Sequence, residues 1–380
     1  MKKILSLLLV AVLVFGLAAC GSNGTENTNN AANTNNTENA VNTENSANTA
    51  NDTNNTNNEE NYDVSGIINP LTGEATEEDL SKYRPIALSM NNEKAAMPQH
   101  GITDADIIIE MNVEKGNTRM LSLFQKITSG TEKLGAIRSA RTYFVDWALA
   151  FDTIYITASG AANALAKIQE KGVPYVNCND NAVFGNWVHP IPNIFARDRD
   201  RLNAGYALEH TMFAYGNGFE NHIEDLKVQL EHRKDYECSL KFTTKPQTEN
   251  GSVAAAFTVT MNPAKTTDFE YDNATKLYKV SQHGGPYIDG NNKEQLAIKN
   301  VLVLNTKYWP ESAGAVRYYA DMSGGTGVYA CEGKMIDINW ARTDEGGLVL
   351  TKADGSDLKL AVGKTFIICP NSETGGLKLK

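Results

Sequence analysis

The sequence LGAIRSARTYFVDWALAF, residues 134–151, indicates the fold class most directly. Its first four residues form an apolar run typical of a short strand, and residues 139–151 repeat large apolar side chains at the spacing of one helix face. The other predicted elements of this half are strands at 85–90, 107–111, 120–127 and 153–157, and helices at 161–171 and 219–234. Strands that alternate with helices predict an α/β layered domain with a mixed sheet, which we assign to residues 62–236.

The second half of the chain, residues 237–380, has a different pattern. Short β-rich runs recur at 254–261, 267–271, 277–281, 301–304, 328–331, 335–340, 347–351 and 364–369. Asp272-Asn273, Glu332-Gly333 and Asp354-Gly355 are typical hairpin turns, and Gly324-Gly325-Thr326-Gly327 also predicts a turn. These features predict a β-rich domain, either a sandwich or an open barrel, so the chain as a whole is expected to be α+β.

The first 20 residues have the layout of an export signal. Lys2 and Lys3 precede an apolar segment, residues 4–19, which ends in small side chains before Cys20. This segment is shorter than the roughly 20 apolar residues that a membrane-spanning helix needs, and a polar tract follows it. We therefore favour a cleaved signal peptide, residues 1–19, over an uncleaved helix. The end of the segment, Leu17-Ala18-Ala19-Cys20, resembles the bacterial lipobox, which implies that Cys20 is acylated and becomes the first residue of the mature protein.

Residues 20–61 are predicted to be a disordered tether between the lipid and the folded body. After Cys20 the segment consists almost entirely of Asn, Thr, Glu, Ala and Ser, and it has no aromatic side chain with which to build a core. The sequence therefore predicts a protein anchored to the cell membrane on its extracytoplasmic face. A role of this Asn-rich tract in self-association is the alternative. The formal net charge is −10, and no basic run suggests a nucleic-acid partner.

Cys178, Cys238, Cys331 and Cys369 allow disulfides in an oxidising compartment. Cys331 and Cys369 lie in neighbouring predicted strands, so theirs is the first pairing to test; the alternative, which we favour, is four buried thiols. Neither the cysteines nor the histidines have the spacing of metal ligands, so we expect no metal and no cofactor.

Three arginines, Arg119, Arg138 and Arg141, are the strongest candidates for ligand binding. Arg138 and Arg141 lie at the start of a predicted helix, where free backbone N–H groups and the helix dipole also favour an anion. A guanidinium group makes bidentate contacts with phosphate or carboxylate. The polar residues expected near these arginines, and included in the candidate site, are Asn91, Asn92, Asp106 and Glu110. The alternative is that the arginines form structural ion pairs with Glu110, Glu114 or Asp146.

Ser159 supports an alternative, enzymatic interpretation. It follows a predicted strand, precedes a predicted helix and lies between small residues, which is the context of a hydrolase nucleophile. His189 or His210 would be the base in such an enzyme, and a carboxylate, Asp106 or Glu110, is a further catalytic candidate. A serine in this position is more commonly a helix N-cap.

Several motifs together resemble one family. They are NPLTG (69–73), PQHGI (98–102) and GAIRSAR (135–141) in the first half, and NVLV (300–303) and GKTF (363–366) in the second half. The chain thus resembles the YerB-like lipoproteins, the DUF3048 family, along almost its whole length after the tether. This resemblance implies an envelope lipoprotein with an N-terminal and a C-terminal DUF3048 domain, and it implies no biochemical activity.

The sequence therefore favours a non-catalytic envelope lipoprotein. Its α/β domain is expected to bind an anionic ligand of the cell envelope or a protein partner. The alternative function is a hydrolase directed at the cell wall.

Overall fold

The computed structural model describes residues 63–179, 193–343 and 345–380. All of these belong to one compact unit, Glu60–Lys380. The predicted signal peptide, Cys20, the predicted tether and His189 lie outside the described residues.

The described chain is rich in strands. The strands are β1 (Ile86–Asn91), β2 (Ile107–Asn112), β3 (Thr118–Phe124), β4 (Lys133–Gly135), β5 (Ile154–Thr157), β6 (Tyr175–Asn177), β7 (Phe195–Arg197), β8 (Met212–Tyr215), β9 (Phe242–Thr243), β10 (Ser252–Val253), β11 (Ala256–Asn262), β12 (Lys265–Asp272), β13 (Leu277–Gln282), β14 (Gly285–Pro286), β15 (Ala297–Ile298), β16 (Asn300–Leu304), β17 (Tyr308–Pro310), β18 (Tyr318–Ala320), β19 (Gly324–Cys331), β20 (Lys334–Arg342), β21 (Leu348–Lys352), β22 (Leu360–Ala361), β23 (Thr365–Cys369) and β24 (Gly376–Leu379). The α-helices are α1 (Thr142–Ala150), α2 (Ala162–Lys171), α3 (Arg199–Asn203) and α4 (Gly216–His222), and 3-10 turns lie at Lys94–Ala96, Glu114–Gly116, Leu208–His210 and Ile223–Leu226.

One mixed sheet runs through both halves of the chain. Its strand order is β10-β20-β19-β16-β23-β2-β3-β1-β5-β6, with β21 beside β20. The halves join where β23 pairs in parallel with β2, from Ile107 opposite Thr365 to Met111 opposite Cys369. Because every residue of these two strands is buried, the junction lies in the interior of the protein.

Helices cover one face of this central sheet. Tyr143, Phe144 and Trp147 of α1 are buried in one apolar cluster with Leu121 and Ile367 of the sheet. The first half therefore has the predicted α/β layers.

A second sheet covers the other face in the second half. It is antiparallel, with the order β14-β13-β12-β11-β24 and β15 beside β13. The ring centroids of Phe269 in this sheet and Phe366 in the central sheet are 5.4 Å apart. The two sheets thus form a sandwich, one of the two predicted alternatives, and the α+β class is confirmed. The division of the compact unit at residue 236 stays a prediction.

Two local predictions are wrong. The helix predicted at 219–234 ends much earlier, because α4 and the following 3-10 turn stop at Lys227, which adopts a left-handed conformation with φ 56°. The segment Gly324-Gly325-Thr326-Gly327 is the start of β19 and not a turn. A Cβ atom on Gly327 would lie 2.5 Å from the carbonyl oxygen of Val303, so the glycine permits close approach to β16.

The four cysteines of the described chain are free thiols; Cys178, Cys331 and Cys369 are buried, as the favoured interpretation expected, and Cys238 is half-buried. The strands of Cys331 and Cys369 flank β16. Strands in such positions are about 10 Å apart, which is more than the roughly 7 Å that a disulfide spans.

Among the described residues, no helix has both the length and the apolar character required to cross a bilayer.

A loop of the second half is hydrogen-bonded to the first half around His100. The Asp289 carboxylate accepts hydrogen bonds from the backbone N–H groups of Gly101, at 3.1 Å, and Thr103, at 2.9 Å. The His100 ring is 8% exposed, lies 3.0 Å from Asn291 Oδ1 and packs edge-on against Phe213. His100 is therefore an uncharged part of the contact between the halves.

This burial predicts that stability falls in mild acid. Burial lowers the pKa of His100 to about 4, and Lys133 and Arg201 also lower it, against the hydrogen bond to Asn291. Because the unfolded chain then binds the proton more tightly, the free energy of unfolding should decrease as the pH falls from about 6.5 to about 4, by about 3 kcal/mol. Urea unfolding at pH 7 and pH 4.5 should show a smaller loss in His100→Gln. His222, whose side chain is 39% exposed, provides the control, since His222→Gln should behave as the unaltered protein does. An equal loss in all three proteins would contradict the prediction.

Candidate functional site

The parallel strands of the first half end at one edge of the central sheet. β1 pairs in parallel with β5, and β5 with β6. β2 ends at the same edge, because β1 and β2 are both antiparallel to β3. Ligands of open α/β sheets typically bind outside these carboxyl ends.

The segment 136–141 crosses this edge and is fixed by backbone hydrogen bonds. The Arg138 N–H donates to Ser89 O at 2.7 Å, and the Ala158 N–H donates to Arg138 O at 3.0 Å. The Ala140 N–H donates to Ser159 O at 2.9 Å. The segment is thus bound to β1 and to the end of β5, and it places Arg138 and the start of α1 over the strand ends.

The three predicted arginines converge here on two carboxylates. Arg141 binds Glu114 through Nε, at 3.1 Å, and through Nη2, and Arg119 Nη2 lies 3.7 Å from the same carboxylate. Arg119 Nη1 also donates to Ser139 O at 2.7 Å. Arg138 Nη1 is 3.2 Å from Glu93 Oε1, but this ion contact lacks the geometry of a hydrogen bond, so Nη1 is buried without a hydrogen-bond partner.

This arrangement leaves an excess of positive charge. Burial is the main cause that lowers the pKa of Arg119 to about 9. The positive charges of Arg141 and Arg138 also lower this pKa, and each of these two effects is larger than the opposing effect of Glu114. Burial alone would raise the pKa of Glu114, yet Arg119 and Arg141 bring it below its ordinary value. Three guanidinium groups therefore share two carboxylates at the strand ends.

The helix starts at this edge add to the positive potential. Neither α1 nor α2 has a side-chain hydrogen bond at its N-cap or an acidic residue in its first turn. Their free N–H groups and dipoles therefore favour a negative charge at the same edge.

Asn91 connects His210 to the arginine cluster. Asn91 Oδ1 accepts a hydrogen bond from the Glu93 N–H at 2.9 Å, so its amide group donates to His210 Nδ1 at 2.8 Å. This assigns the proton of the neutral imidazole to Nε2, which has no partner among the described residues. Burial and the charge of Arg138 both lower the pKa of His210. His210 is therefore a neutral hydrogen-bond donor beside the cluster.

Asn92 and Glu110 lie on the opposite face of the central sheet, between the two sheets. Glu110 is fully buried and lies 3.1 Å from Lys265 Nζ. Its carboxylate accepts hydrogen bonds from Thr118 Oγ1 at 2.6 Å, Thr267 Oγ1 at 2.9 Å and Asn92 Nδ2 at 3.0 Å. The carboxylate is fully engaged within the protein.

Asp106 is remote from the arginines. It precedes β2 and hence lies at the amino end of that strand, about 16 Å along the strand from the residue opposite Arg119. Its carboxylate accepts hydrogen bonds from the Gln125 N–H at 2.6 Å and from Asn69 Nδ2 at 3.0 Å. Burial raises the pKa of Asp106 to about 6, against these hydrogen bonds and Lys364.

Ser159 lies at the carboxyl end of β5, next to the segment that carries Arg138. It is not a helix cap, because the N-cap of α2 is Ala161. Its backbone is left-handed, with φ 71°, and its N–H donates to Asn177 Oδ1 at 3.0 Å. Within the described residues no histidine is hydrogen-bonded to its hydroxyl, and His210 instead binds Asn91.

The sequence analysis named the three arginines, gave Glu114 as a possible ion-pair partner and named His210 as a candidate base, but it did not predict the contact of Arg138 with Glu93 or that of His210 with Asn91. Glu93, the partner of Arg138, directly follows the two predicted asparagines, so its proximity to them was a usable signal. The contact between Asn91 and His210 joins residues 119 positions apart, and no local pattern indicates it.

Comparison with known proteins identifies both halves. Residues 71–229 match the model "Protein of unknown function (DUF3048) N-terminal domain", and residues 257–367 match the corresponding C-terminal domain. The whole arginine cluster lies in the first match.

A relative and a solved structure extend this similarity. The chain is 26% identical over 313 residues to YerB of Bacillus subtilis (strain 168), which is classed as a lipoprotein by name; the alignment covers 81% of this chain and 88% of the relative. The crystal structure of the YerB protein from Bacillus subtilis matches with a TM-score of 0.67 and 24% identity, over 82% of this chain and 100% of that one. The structural match supports the fold.

Because Arg119 and Arg141 share the Glu114 carboxylate, loss of its charge should destabilise the protein. Glu114→Gln should lower the free energy of unfolding by about 1–3 kcal/mol, because it leaves Arg119 and Arg141 without their counter-charge. Glu78→Gln is the matched control, since Glu78 pairs with Lys126 at the surface and both side chains are 54% exposed. The control should change stability by less than about 1 kcal/mol. Urea unfolding that gives equal effects for both variants would contradict the prediction.

Proposed function

The chain belongs to the DUF3048 family, and on that premise we propose that it is a lipoprotein held at the outer face of the cell membrane whose folded body binds an anionic ligand of the cell envelope. The ligand site in this proposal is the arginine cluster at the carboxyl edge of the central sheet, formed by Arg119, Arg138 and Arg141.

Two observations support the lipid anchor. The first 20 residues have the charged start, short apolar segment and terminal cysteine of a lipoprotein signal. The Bacillus subtilis relative is classed by name as a lipoprotein. Cys20 is the acylated residue in this proposal, and the polar segment after it links the lipid to the folded body.

The observation that carries anion binding is the unequal charge of the arginine cluster. Arg119 is buried beside Arg138 and Arg141, and within the described part of the chain the acidic partners of these three cations are Glu93 and Glu114. A buried excess of positive charge is unfavourable in the free protein, so an anion that binds beside it is stabilised. Guanidinium groups prefer phosphate or carboxylate, to which they donate two hydrogen bonds.

Burial of the arginines favours a small anionic group over a broad protein surface. The side chains of Arg119, Arg141 and Arg138 are 2%, 8% and 15% exposed, respectively. Among the described residues, Arg138 is thus the most exposed edge of the cluster. A phosphate or carboxylate that projects from a larger envelope molecule can reach this edge, and the flat surface of a folded partner cannot.

Binding without catalysis is the function that the geometry supports best. Glu110 and Asp106 are engaged in hydrogen bonds within the fold and lie away from the cluster. Ser159 is beside the cluster, but in the described part of the chain no base contacts its hydroxyl.

The anchor predicts that Cys20→Ser abolishes acylation. Cells grown with labelled palmitate should label the unaltered protein, and the variant should carry no label because serine lacks the thiol that accepts the diacylglyceryl group. Cys238→Ser, at a half-buried thiol of the folded body, is the control and should be labelled normally. Label that persists in Cys20→Ser would contradict the anchor.

The anion site predicts that Arg138→Ala loses ligand-dependent stabilisation. Inorganic phosphate, and anionic peptidoglycan fragments released with a muramidase, serve as probes in thermal unfolding. A ligand at about 100 times its Kd stabilises the unaltered protein by about 2.7 kcal/mol, and the variant should gain almost nothing. Arg138→Lys should recover only part of the effect, because lysine keeps the charge without the planar fork.

Arg233→Ala is the matched control for this test. Arg233 Nη1 lies 3.8 Å from Asp152 Oδ1, beyond the C-terminal end of α1 and hence away from the arginine cluster. This variant should keep the full ligand effect. Equal stabilisation of Arg138→Ala and the unaltered protein, or no stabilisation of the unaltered protein by either probe, would contradict the proposed site.

A further inference from the structure

A second concave site lies at the same edge of the central sheet. It is a cavity of about 380 Å³ between the end of β2, the turn from β11 to β12, the β17–β18 hairpin and the turn that follows β23. Its volume is in the range of about 300–1,000 Å³ that is typical of small-molecule sites. The 3-10 turn Glu114–Gly116 separates it from the arginine cluster, because Glu114 binds Arg141 and Gly116 lines the cavity.

The walls of the cavity are held in place by hydrogen bonds. Asn262 Nδ2 donates to Asn112 Oδ1 at 2.6 Å and to Gly116 O at 3.1 Å. Asn112 Nδ2 and the Asn371 N–H both donate to Met261 O, at 2.9 and 3.2 Å. Three separate segments are thereby fixed relative to one another, so the cavity is formed before any ligand arrives.

Other polar groups of the lining remain available to a ligand. The hydroxyls of Tyr318 and Thr374 and the amide nitrogen of Asn371 have no hydrogen-bond partner within the described residues, and all three side chains reach solvent. A ligand therefore meets two hydroxyls and one amide donor. These groups are arranged around apolar surface from Val113, Pro263 and the Tyr318 ring.

The lining carries no charge. None of its ten residues is acidic or basic. A charged group that entered would lose its hydration without gaining a counter-charge, whereas hydroxyl and amide groups can exchange water for the free groups of the wall. This site and the arginine cluster therefore suit different chemical groups.

We propose that this cavity binds a neutral carbohydrate unit, with the Tyr318 ring against a face of the sugar and the Tyr318, Asn371 and Thr374 side chains bonded to its hydroxyl or N-acetyl groups. A sugar ring has apolar C–H groups on its faces and hydroxyl groups around its rim, which matches this distribution of apolar and polar wall. The concave, partly open cavity fits a compact ring better than an extended peptide, which typically pairs with a strand edge. The inference stands independently of the anion site.

Filling the cavity gives the first test. The full-length protein is titrated by calorimetry with the uncharged tetramer of N-acetylglucosamine, and with tetra-alanine amide as a neutral peptide of similar length. Ala264 is exposed in the β11–β12 turn, so Ala264→Phe should occupy the cavity without disturbing the core and should weaken sugar binding at least about tenfold. Ala274→Phe makes the same change in the exposed β12–β13 turn, at the other end of these strands, and should leave the affinity unchanged.

Removing one hydroxyl gives the second test. Tyr318→Phe should weaken sugar binding about 3- to 10-fold, the effect of one lost hydrogen bond. Tyr319→Phe is the matched control, because Tyr319 is the next residue on β18 and points to the opposite face of the hairpin, where it contacts Trp309. Arg138→Ala should bind the sugar normally, which separates this site from the anion site.

Several outcomes would overturn the proposal. They are absence of sugar binding by the unaltered protein, unchanged affinity in both Ala264→Phe and Tyr318→Phe, loss of sugar binding in Arg138→Ala, and tighter binding of the peptide than of the sugar. None of these results depends on whether phosphate stabilises the protein, so failure here and failure of the anion site are distinguishable.

Discussion

The parallel pairing of β2 with β23 is the constraint on which the rest of the structure depends. It inserts a strand from the end of the chain beside one from its first half, and so makes a single sheet of both. Since β16 is also parallel to β23, the parallel strands of both halves end at the same edge. The arginine cluster belongs to the first half, and most of the neutral cavity is formed by the second. Their position at one edge follows from this pairing.

The buried pair of Glu110 and Lys265 fixes the second sheet on the central one. Two charges removed from water are tolerated only with good geometry and further hydrogen bonds, and here Thr118 and Thr267 supply two of these. Because Thr267 and Lys265 come from β12 and Glu110 from β2, the network links the two sheets at a defined position. A polar cluster of this kind contributes specificity of assembly. It gives Glu110 a structural role in a largely apolar strand.

The sequence predicted the strands well because their apolar runs and turn residues are local signals. The turn Glu332-Gly333, for example, has positive φ at both residues, as a tight hairpin requires. The proximity of Arg138 and Arg141 was predictable from their position at a helix start, whereas Arg119 lies on β3 and meets them through the fold. The separation of Glu110 from Arg119 was not predictable from the sequence, because β2 is buried on both faces and its composition does not reveal which face each side chain occupies. Contacts such as that of His210 depend on the tertiary fold alone.

The turn Glu114–Gly116 relates the two sites at the edge. On one side Arg141 and Arg119 hold the Glu114 carboxylate, and on the other side Asn262 donates to Gly116 O. The turn is therefore bound by charge toward the arginine cluster and by neutral hydrogen bonds toward the cavity. An envelope glycan carries neutral sugar rings and anionic substituents within a few ångströms of each other. A protein edge that places a cationic cluster and an uncharged, hydroxyl-lined cavity on the two sides of one short turn has the complementary distribution of charge, so the two proposed sites taken together favour a glycan over a free inorganic anion as the ligand to test.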